Sequence, residues 1–146
     1  MHRKFLLLIT LFVFGLLLVG WTPAKHEQRK VWASLSVNRP LFHAGWTKEL
    51  TVYFTLVNDG SETIDPKIES SKIIINGVAL EDSGFILSNG PRDKRWRALP
   101  CGDSLEFTYS LEKYFKEPGI YRVSWKGEDF ETPTVVFRVM PYKTNH

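Results

Sequence analysis

Apolar and polar residues alternate along much of the chain after residue 30, with the period of two that is typical of β-strands. The clearest run covers residues 50–57, where leucine, valine or phenylalanine occupies every second position. Residues 105–111 and 121–125 repeat the pattern, and Pro118-Gly119 is a turn signal between them. Each of these segments is therefore predicted to be a strand that buries one face.

Shorter segments add further predicted strands, at residues 31–37, 64–68, 72–75, 78–80 and 133–140. Pro66 would confine the second of these to a sheet edge or a bulge, because proline cannot donate a ladder hydrogen bond. Asn76-Gly77 is a strong hairpin signal, since a type I′ turn needs positive φ at both central residues.

The remaining segments carry weaker signals. Residues 41–46 are predicted to be a loop, residues 85–87 another short apolar piece, and residues 112–115 at most one helical turn. Seven to nine short strands without convincing helical periodicity predict an all-β fold, a sandwich of two antiparallel sheets.

The first 24 residues have the pattern of an export segment. Arg3 and Lys4 precede an apolar run at residues 5–19, and Thr22-Pro23-Ala24 offers small residues to a signal peptidase. Residues 1–24 are predicted to be a signal peptide. The alternative is an uncleaved anchor in the inner membrane, since the run is near the lower limit of about 17 residues for a spanning helix.

This assignment fixes the predicted domain organisation. Residues 25–30 form a polar spacer, residues 31–140 the sandwich, and residues 141–146 a loose tail. The protein is expected to be periplasmic, extracellular or on the cell surface, and to contact a membrane only through its N-terminal segment.

Composition narrows the classes of function. Two of the charges behind the formal net charge of +3 are Arg3 and Lys4, so the rest of the chain is close to neutral and no nucleic-acid partner is predicted. Cys101 is the single cysteine, which excludes an intramolecular disulfide and leaves a disulfide-linked dimer as a less favoured option. A nucleophilic Cys101 would need a base, and nothing in the sequence supports its pairing with His43.

The aromatic residues of the segment LPCGDSLEFTYSLEKYFKEPGIYRVSW, residues 99–125, are predicted to be structural. Phe107, Tyr109 and Trp125 occupy core-facing positions of their strands. Tyr114 and Phe115 are expected to plug the open end between the two sheets.

The same segment resembles the E strand, E–F corner and F strand of an immunoglobulin-like or fibronectin III-like domain. Leu56-Val57-Asn58-Asp59-Gly60 resembles the B strand and B–C turn of bacterial immunoglobulin-like domains. The resemblance implies that the hydroxyl group of Tyr121 bonds back to the preceding corner.

The candidate site with the highest charge is the loop at residues 91–97, which contains Arg92, Lys94, Arg95, Trp96 and Arg97. Its cations could hold an anion while Trp96 stacks on a sugar ring or docks a partner. The alternative is a solvated connection whose tryptophan folds back on the sheet.

Two other groups of residues are candidate sites. Trp32 and Tyr53 lie on the faces of their strands away from the predicted core, and side by side they could form an aromatic platform, unless both faces are covered or the register is shifted by one residue. The oxygens of Asn58, Asp59, Ser61, Glu62 and Asp65 could form a calcium site, but their spacing is that of ordinary turns.

No motif for nucleophilic hydrolysis, zinc proteolysis, phosphate binding or thiol redox chemistry is present, and copper ligands are lacking. We therefore expect no enzymatic activity, no cofactor and no metal. The sequence favours an exported binding or scaffolding domain that contacts a protein or a cell-surface glycan.

The alternative function is protease inhibition. Residues 58–60, 99–105 and 118–123 are similar to the bacterial intracellular proteinase inhibitor type of sandwich, although the export segment departs from an intracellular family.

Overall fold

The computed structural model describes residues 31–88 and 92–142, so the predicted export segment, the spacer and residues 143–146 of the tail lie outside the described residues. Eight strands occur in this part: β1 (Val31–Val37), β2 (Leu41–His43), β3 (Thr51–Asn58), β4 (Lys72–Ile75), β5 (Val78–Ala79), β6 (Ser104–Ser110), β7 (Gly119–Lys126) and β8 (Val135–Met140).

One short α-helix, α1 (Ser83–Ser88), lies between β5 and β6. The remaining helical segments in the described part are single 3₁₀ turns, at Thr47–Glu49, Ile68–Ser70, Lys94–Trp96 and Glu112–Tyr114. No helix in these residues combines the length and the hydrophobicity that crossing a membrane requires.

The strands form two sheets, which confirms the predicted all-β, two-sheet architecture. The smaller sheet has the order β1-β3-β6 and is antiparallel throughout. Val52, Phe54 and Leu56 of β3 are fully buried, as their alternation predicts. The central strand of this sheet therefore supplies one side of the core.

The larger sheet has the order β2-β8-β7-β4-β5, and it corrects two predictions. Residues 41–43 are a strand and not part of a loop, and β2 pairs with β8 in parallel, so the sandwich is not entirely antiparallel. The amide of Arg138 donates to the carbonyl of Pro40 at 3.0 Å, and Phe42 is buried. A buried phenylalanine and this ladder bond stabilise a strand too short to show alternation.

The connection after β3 differs from the predicted edge strand at residues 64–68. Ile64 forms only an isolated bridge with Leu99, and the chain then turns at Lys67, which has φ of 49°. The predicted Asn76-Gly77 hairpin is confirmed, since β4 pairs with β5 and these two residues have φ of 51° and 83°.

The apolar piece at residues 85–87 is helical. The hydroxyl group of Ser83 accepts a hydrogen bond from the amide of Ile73 at 3.0 Å, and the hydroxyl of Tyr109 donates to the carbonyl of Leu87 at 3.2 Å. A Cβ atom at Gly84 would lie 2.9 Å from the carbonyl oxygen of Glu69, so the close approach of α1 to the Ile68–Ser70 turn requires glycine.

Aromatic rings fill the space between the sheets. Trp125 is fully buried, and its ring lies 5.2 Å from that of Phe54 and 5.6 Å from that of Phe107, both nearly perpendicular to it. The indole nitrogen donates to the hydroxyl of Ser71 at 2.7 Å, so the polar atom of this buried ring has a partner.

The corner between β6 and β7 closes one end of the core. Phe115 is fully buried against Tyr121 and Phe137, with ring centroids 5.0 Å from each. The hydroxyl of Tyr121 donates to the carbonyl of Glu117 at 2.8 Å, the contact implied by the resemblance. Tyr114 is only half-buried, and its hydroxyl donates to the carboxylate of Asp82, which connects the corner to the start of α1.

Candidate binding surfaces

The basic loop is held to the protein by its own ion pairs. Glu69 pairs with Arg92 and also with Arg97, at 3.4 Å from the second guanidinium. Arg95 pairs with Asp93 at 2.7 Å. Exposed pairs of this kind contribute roughly 0–1 kcal/mol each, so they position the loop more than they stabilise the fold. All three arginines proposed for anion binding already face carboxylates of this chain.

Trp96 is 7% exposed and lies within the core. Its ring centroid is 4.8 Å from that of Phe107, and the guanidinium of Arg92 lies 5.5 Å from it. The structure therefore corrects the binding interpretation of Trp96: the residue folds back on the sheet and is not an exposed stacking surface.

The loop also covers part of a sheet edge. Arg95 donates to the carbonyl of Ser104, at the start of edge strand β6, at 2.8 Å. Asp93 accepts hydrogen bonds from the amide and the guanidinium of Arg95. Both bonds hold the pKa of Asp93 below its usual value, and the guanidinium bond has the larger effect. Uncovered strand edges invite pairing with other chains, and this hydrogen bond occupies one outward carbonyl of the edge. Lys94 is exposed beside it.

Trp32 and Tyr53 share the outer face of the smaller sheet, where they are 56% and 43% exposed. They do not form one platform. Trp32 lies opposite Val57, four residues along β3 from Tyr53, which places the two about 13 Å apart. The face prediction is correct, but the side-by-side arrangement is wrong for a single copy of the chain.

The outer face of the larger sheet carries a cluster that sequence reasoning did not single out. Leu41, Arg138 and Ile120 lie side by side on β2, β8 and β7. On the adjacent rung Val136 lies opposite Arg122. Apolar and cationic side chains thus alternate in two directions, and the three apolar ones are each about half exposed.

This outer face is positively charged. No strand of the larger sheet contains an acidic residue, and Lys72 and Lys126 extend the charge on β4 and β7. Lys126 pairs with Glu131 at 3.2 Å, whereas the described residues provide no carboxylate within 4.0 Å of Arg122 or Arg138. The alternation of arginine with isoleucine or valine at residues 120–122 and 136–138 is the sequence signal that would have identified the cluster.

The oxygen-rich turn after β3 uses its side chains in local hydrogen bonds. Asn58 is fully buried, and its amide group donates to the carbonyls of Glu62 and Leu99 at 2.7 and 2.9 Å. Its side-chain oxygen accepts from the amide of Gly60 at 3.0 Å, and that of Asp65 accepts from the amide of Lys67 at 2.9 Å. These are turn-stabilising contacts of the kind expected for such a sequence.

Cys101 and His43 lie at opposite ends of the sandwich. The turn containing exposed Cys101 is bonded to Asn58, which pairs with Val31 at the start of β1. His43 lies beyond the far end of that strand, and β1 alone spans about 20 Å. The two side chains are therefore not placed to act as a nucleophile and its base.

No protein-family model and no curated protein matches this sequence.

Proposed function

We propose that the chain is an exported, non-enzymatic binding domain of immunoglobulin-like type that contacts an acidic protein through the outer face of its larger sheet. The observation that carries this proposal is the cluster of Leu41, Ile120 and Val136 around Arg122 and Arg138. Arginine is enriched at protein interfaces, and the fully buried core of an interface is more apolar than the rest of a protein surface.

The chemistry of the partner follows from the charge. Arg122 and Arg138 extend from neighbouring strands of one sheet, so their positions are fixed by the ladder. Guanidinium groups form bidentate hydrogen bonds with carboxylates, and a rigid placement lowers the entropy lost on binding. An acidic, partly apolar protein surface complements this face better than a neutral polysaccharide does.

The strand order supports the immunoglobulin-like part of the proposal. The first two strands divide between the sheets, with β1 beside β3 and β2 beside β8. The order β8-β7-β4 in one sheet and β3-β6 in the other corresponds to G-F-C and B-E of an immunoglobulin domain. The Tyr121 hydrogen bond to Glu117 is the corner contact of that fold.

Export is supported by the sequence of residues 1–24, with a membrane anchor as the alternative fate of that segment. The absence of enzymatic activity is part of the same proposal, in which the protein acts by presenting a surface.

The test is affinity capture of envelope proteins by the purified chain. R122E/R138E reverses the charge of the face at two solvent-exposed positions, and K48E/K116E makes the same charge change in two turns of the described part. We expect the captured partner to be lost from the first variant and retained by the second.

Equal capture by both variants contradicts the proposal. Near-equimolar inhibition of subtilisin-like proteases would replace it with the inhibitor alternative. Glycan binding that survives R122E/R138E would point instead to the face carrying Trp32 and Tyr53.

A further inference from the structure

Strand β1 is an edge strand of the smaller sheet. Its register with β3 determines which of its backbone groups bond to β3 and which point away from the sheet. The amide of Asn38 donates to the carbonyl of Thr51, and on the other side of β3 the amide of Asn58 donates to the carbonyl of Asp103. With the observed register, Trp32, Ser34 and Ser36 therefore form the hydrogen-bonded pairs with β3. The N–H and C=O groups of the alternate residues point away from the sheet: Val31, Ala33, Leu35 and Val37.

These outward groups have no backbone partner among residues 31–88 and 92–142. The other edges of the two sheets are less open: β2 has three residues, β5 has two, and β6 contains the charged Glu106 and has its Ser104 carbonyl bonded to Arg95. By contrast, β1 is seven residues long and contains no charge, proline or bulge. A long uncharged edge is a template for strand addition.

We propose that β1 pairs antiparallel with β1 of a second copy of this chain, across a two-fold axis at Ser34. This register is the symmetric one that uses all the outward groups. Val31 then pairs with the partner's Val37, and Ala33 with the partner's Leu35. The two smaller sheets become one continuous sheet. A two-fold axis closes the assembly at a dimer.

The side chains on the outer, solvent-facing side of β1 fit this register. Ser34 meets the partner's Ser34 in a close, non-hydrogen-bonded pair, which suits small side chains. Trp32 lies opposite the partner's Ser36, which is itself the neighbour of the partner's Tyr53. Trp32 and the partner's Tyr53 are two strand spacings apart, about 10 Å. The indole can therefore extend over the small side chain of the partner's Ser36 and contact the tyrosine ring.

The exposed aromatic residues thus acquire a common explanation. In one copy Trp32 and Tyr53 are too far apart to touch. The two-fold axis places Trp32 of each copy at the same level of the sheet as Tyr53 of the other copy. The interface contains no charged side chain of β1. Because edge pairing buries less than the roughly 1,600 Å² of a standard interface, we expect a reversible, concentration-dependent dimer. This inference is independent of the face used in the proposed function.

Sedimentation velocity of the full chain over a concentration series tests the dimer. S34K places two cations at the two-fold axis, while S110K introduces the same residue on the same face at the far strand β6. We expect wild type and S110K to dimerise and S34K to remain monomeric at all concentrations. A wild-type monomer throughout the series, or dimers that persist in S34K, would overturn the proposal.

Disulfide trapping tests the register. In the pair S34C/C101S, mild oxidation is expected to give a covalent dimer, because facing non-hydrogen-bonded residues lie within the Cα separation of about 4.4–6.8 Å that disulfides require. The matched control S110C/C101S is expected to stay uncrosslinked. Equal crosslinking of both variants, or trapping of S34C only with a different protein, would contradict pairing between copies.

Discussion

Two tryptophan-to-alanine substitutions separate a structural from a surface role by their effect on stability. Trp96 is 7% exposed and packs against Phe107, whereas Trp32 is mostly exposed on the outer face of β1. A buried tryptophan removes about 150–250 Å² from water, which at about 25 cal/mol per Å² gives an upper bound of about 4–6 kcal/mol. Measured losses for such truncations are about 3–5 kcal/mol.

We therefore expect W96A to lower the free energy of unfolding by about 3–5 kcal/mol and W32A by less than about 0.5 kcal/mol in the monomer. Urea unfolding followed by circular dichroism measures both, at concentrations below dimer formation. The denaturant dependence m should stay constant, so that the midpoint alone reports stability.

The outcome that refutes this reasoning is a loss of less than about 1 kcal/mol in W96A, which is too small for a buried ring. Such a result would mean that the loop of residues 92–97 opens readily and presents Trp96 to ligands. The binding interpretation of this residue would then have to be restored.

Three further substitutions test individual contacts. G84A should destabilise by about 1–2 kcal/mol through its clash with the carbonyl of Glu69, while G119A, with no atom near the added Cβ, should be close to neutral in urea unfolding. Y121F should lose about 0.5–1.5 kcal/mol with its hydrogen bond to Glu117, and an unchanged unfolding midpoint would show that the bond adds nothing. Hydrogen bonds from Tyr114, the larger cause, and from Lys113 hold the pKa of Asp82 below its usual value of 3.8. Ionised Asp82 therefore stabilises the folded state above that pH, and this stabilisation is lost as the pH falls. D82N should therefore lose less stability than wild type as the pH falls below about 4, and parallel pH profiles would contradict this.

Local alternation was sufficient to predict the long strands. In β3, β6 and β8 every second residue is apolar, and the same residues face the core. The Asn76-Gly77 turn was predictable for a similar reason, because its positive φ values depend on the two residues themselves.

Elements that depend on distant partners could not be predicted in this way. Strand β2 is stabilised by β8, almost a hundred residues later, and three residues are too few to show a period. Helix α1 depends on hydrogen bonds of Ser83 with Ile73 and of Leu87 with Tyr109. An apolar run alone does not distinguish a short helix from a strand.

The candidate sites likewise combine features that local sequence determines with features that distant residues determine. That Trp32 and Tyr53 face solvent followed from alternation, but their separation is set by the register between β1 and β3. The charges of the basic loop were visible in the sequence, whereas Glu69, the shared partner of Arg92 and Arg97, lies in a different turn. The carboxylate that pairs with two arginines of this loop could therefore not be predicted from the sequence of the loop itself.

Site-specific photo-crosslinking in cells shows directly whether the outer face of the larger sheet contacts a partner. A photoreactive residue replaces Val136, on the outer face of the larger sheet, or Lys94, in the basic loop; both positions are exposed. We predict a discrete crosslinked species from position 136 and none from position 94. Crosslinking from position 94 alone would contradict it and place the function in the basic loop.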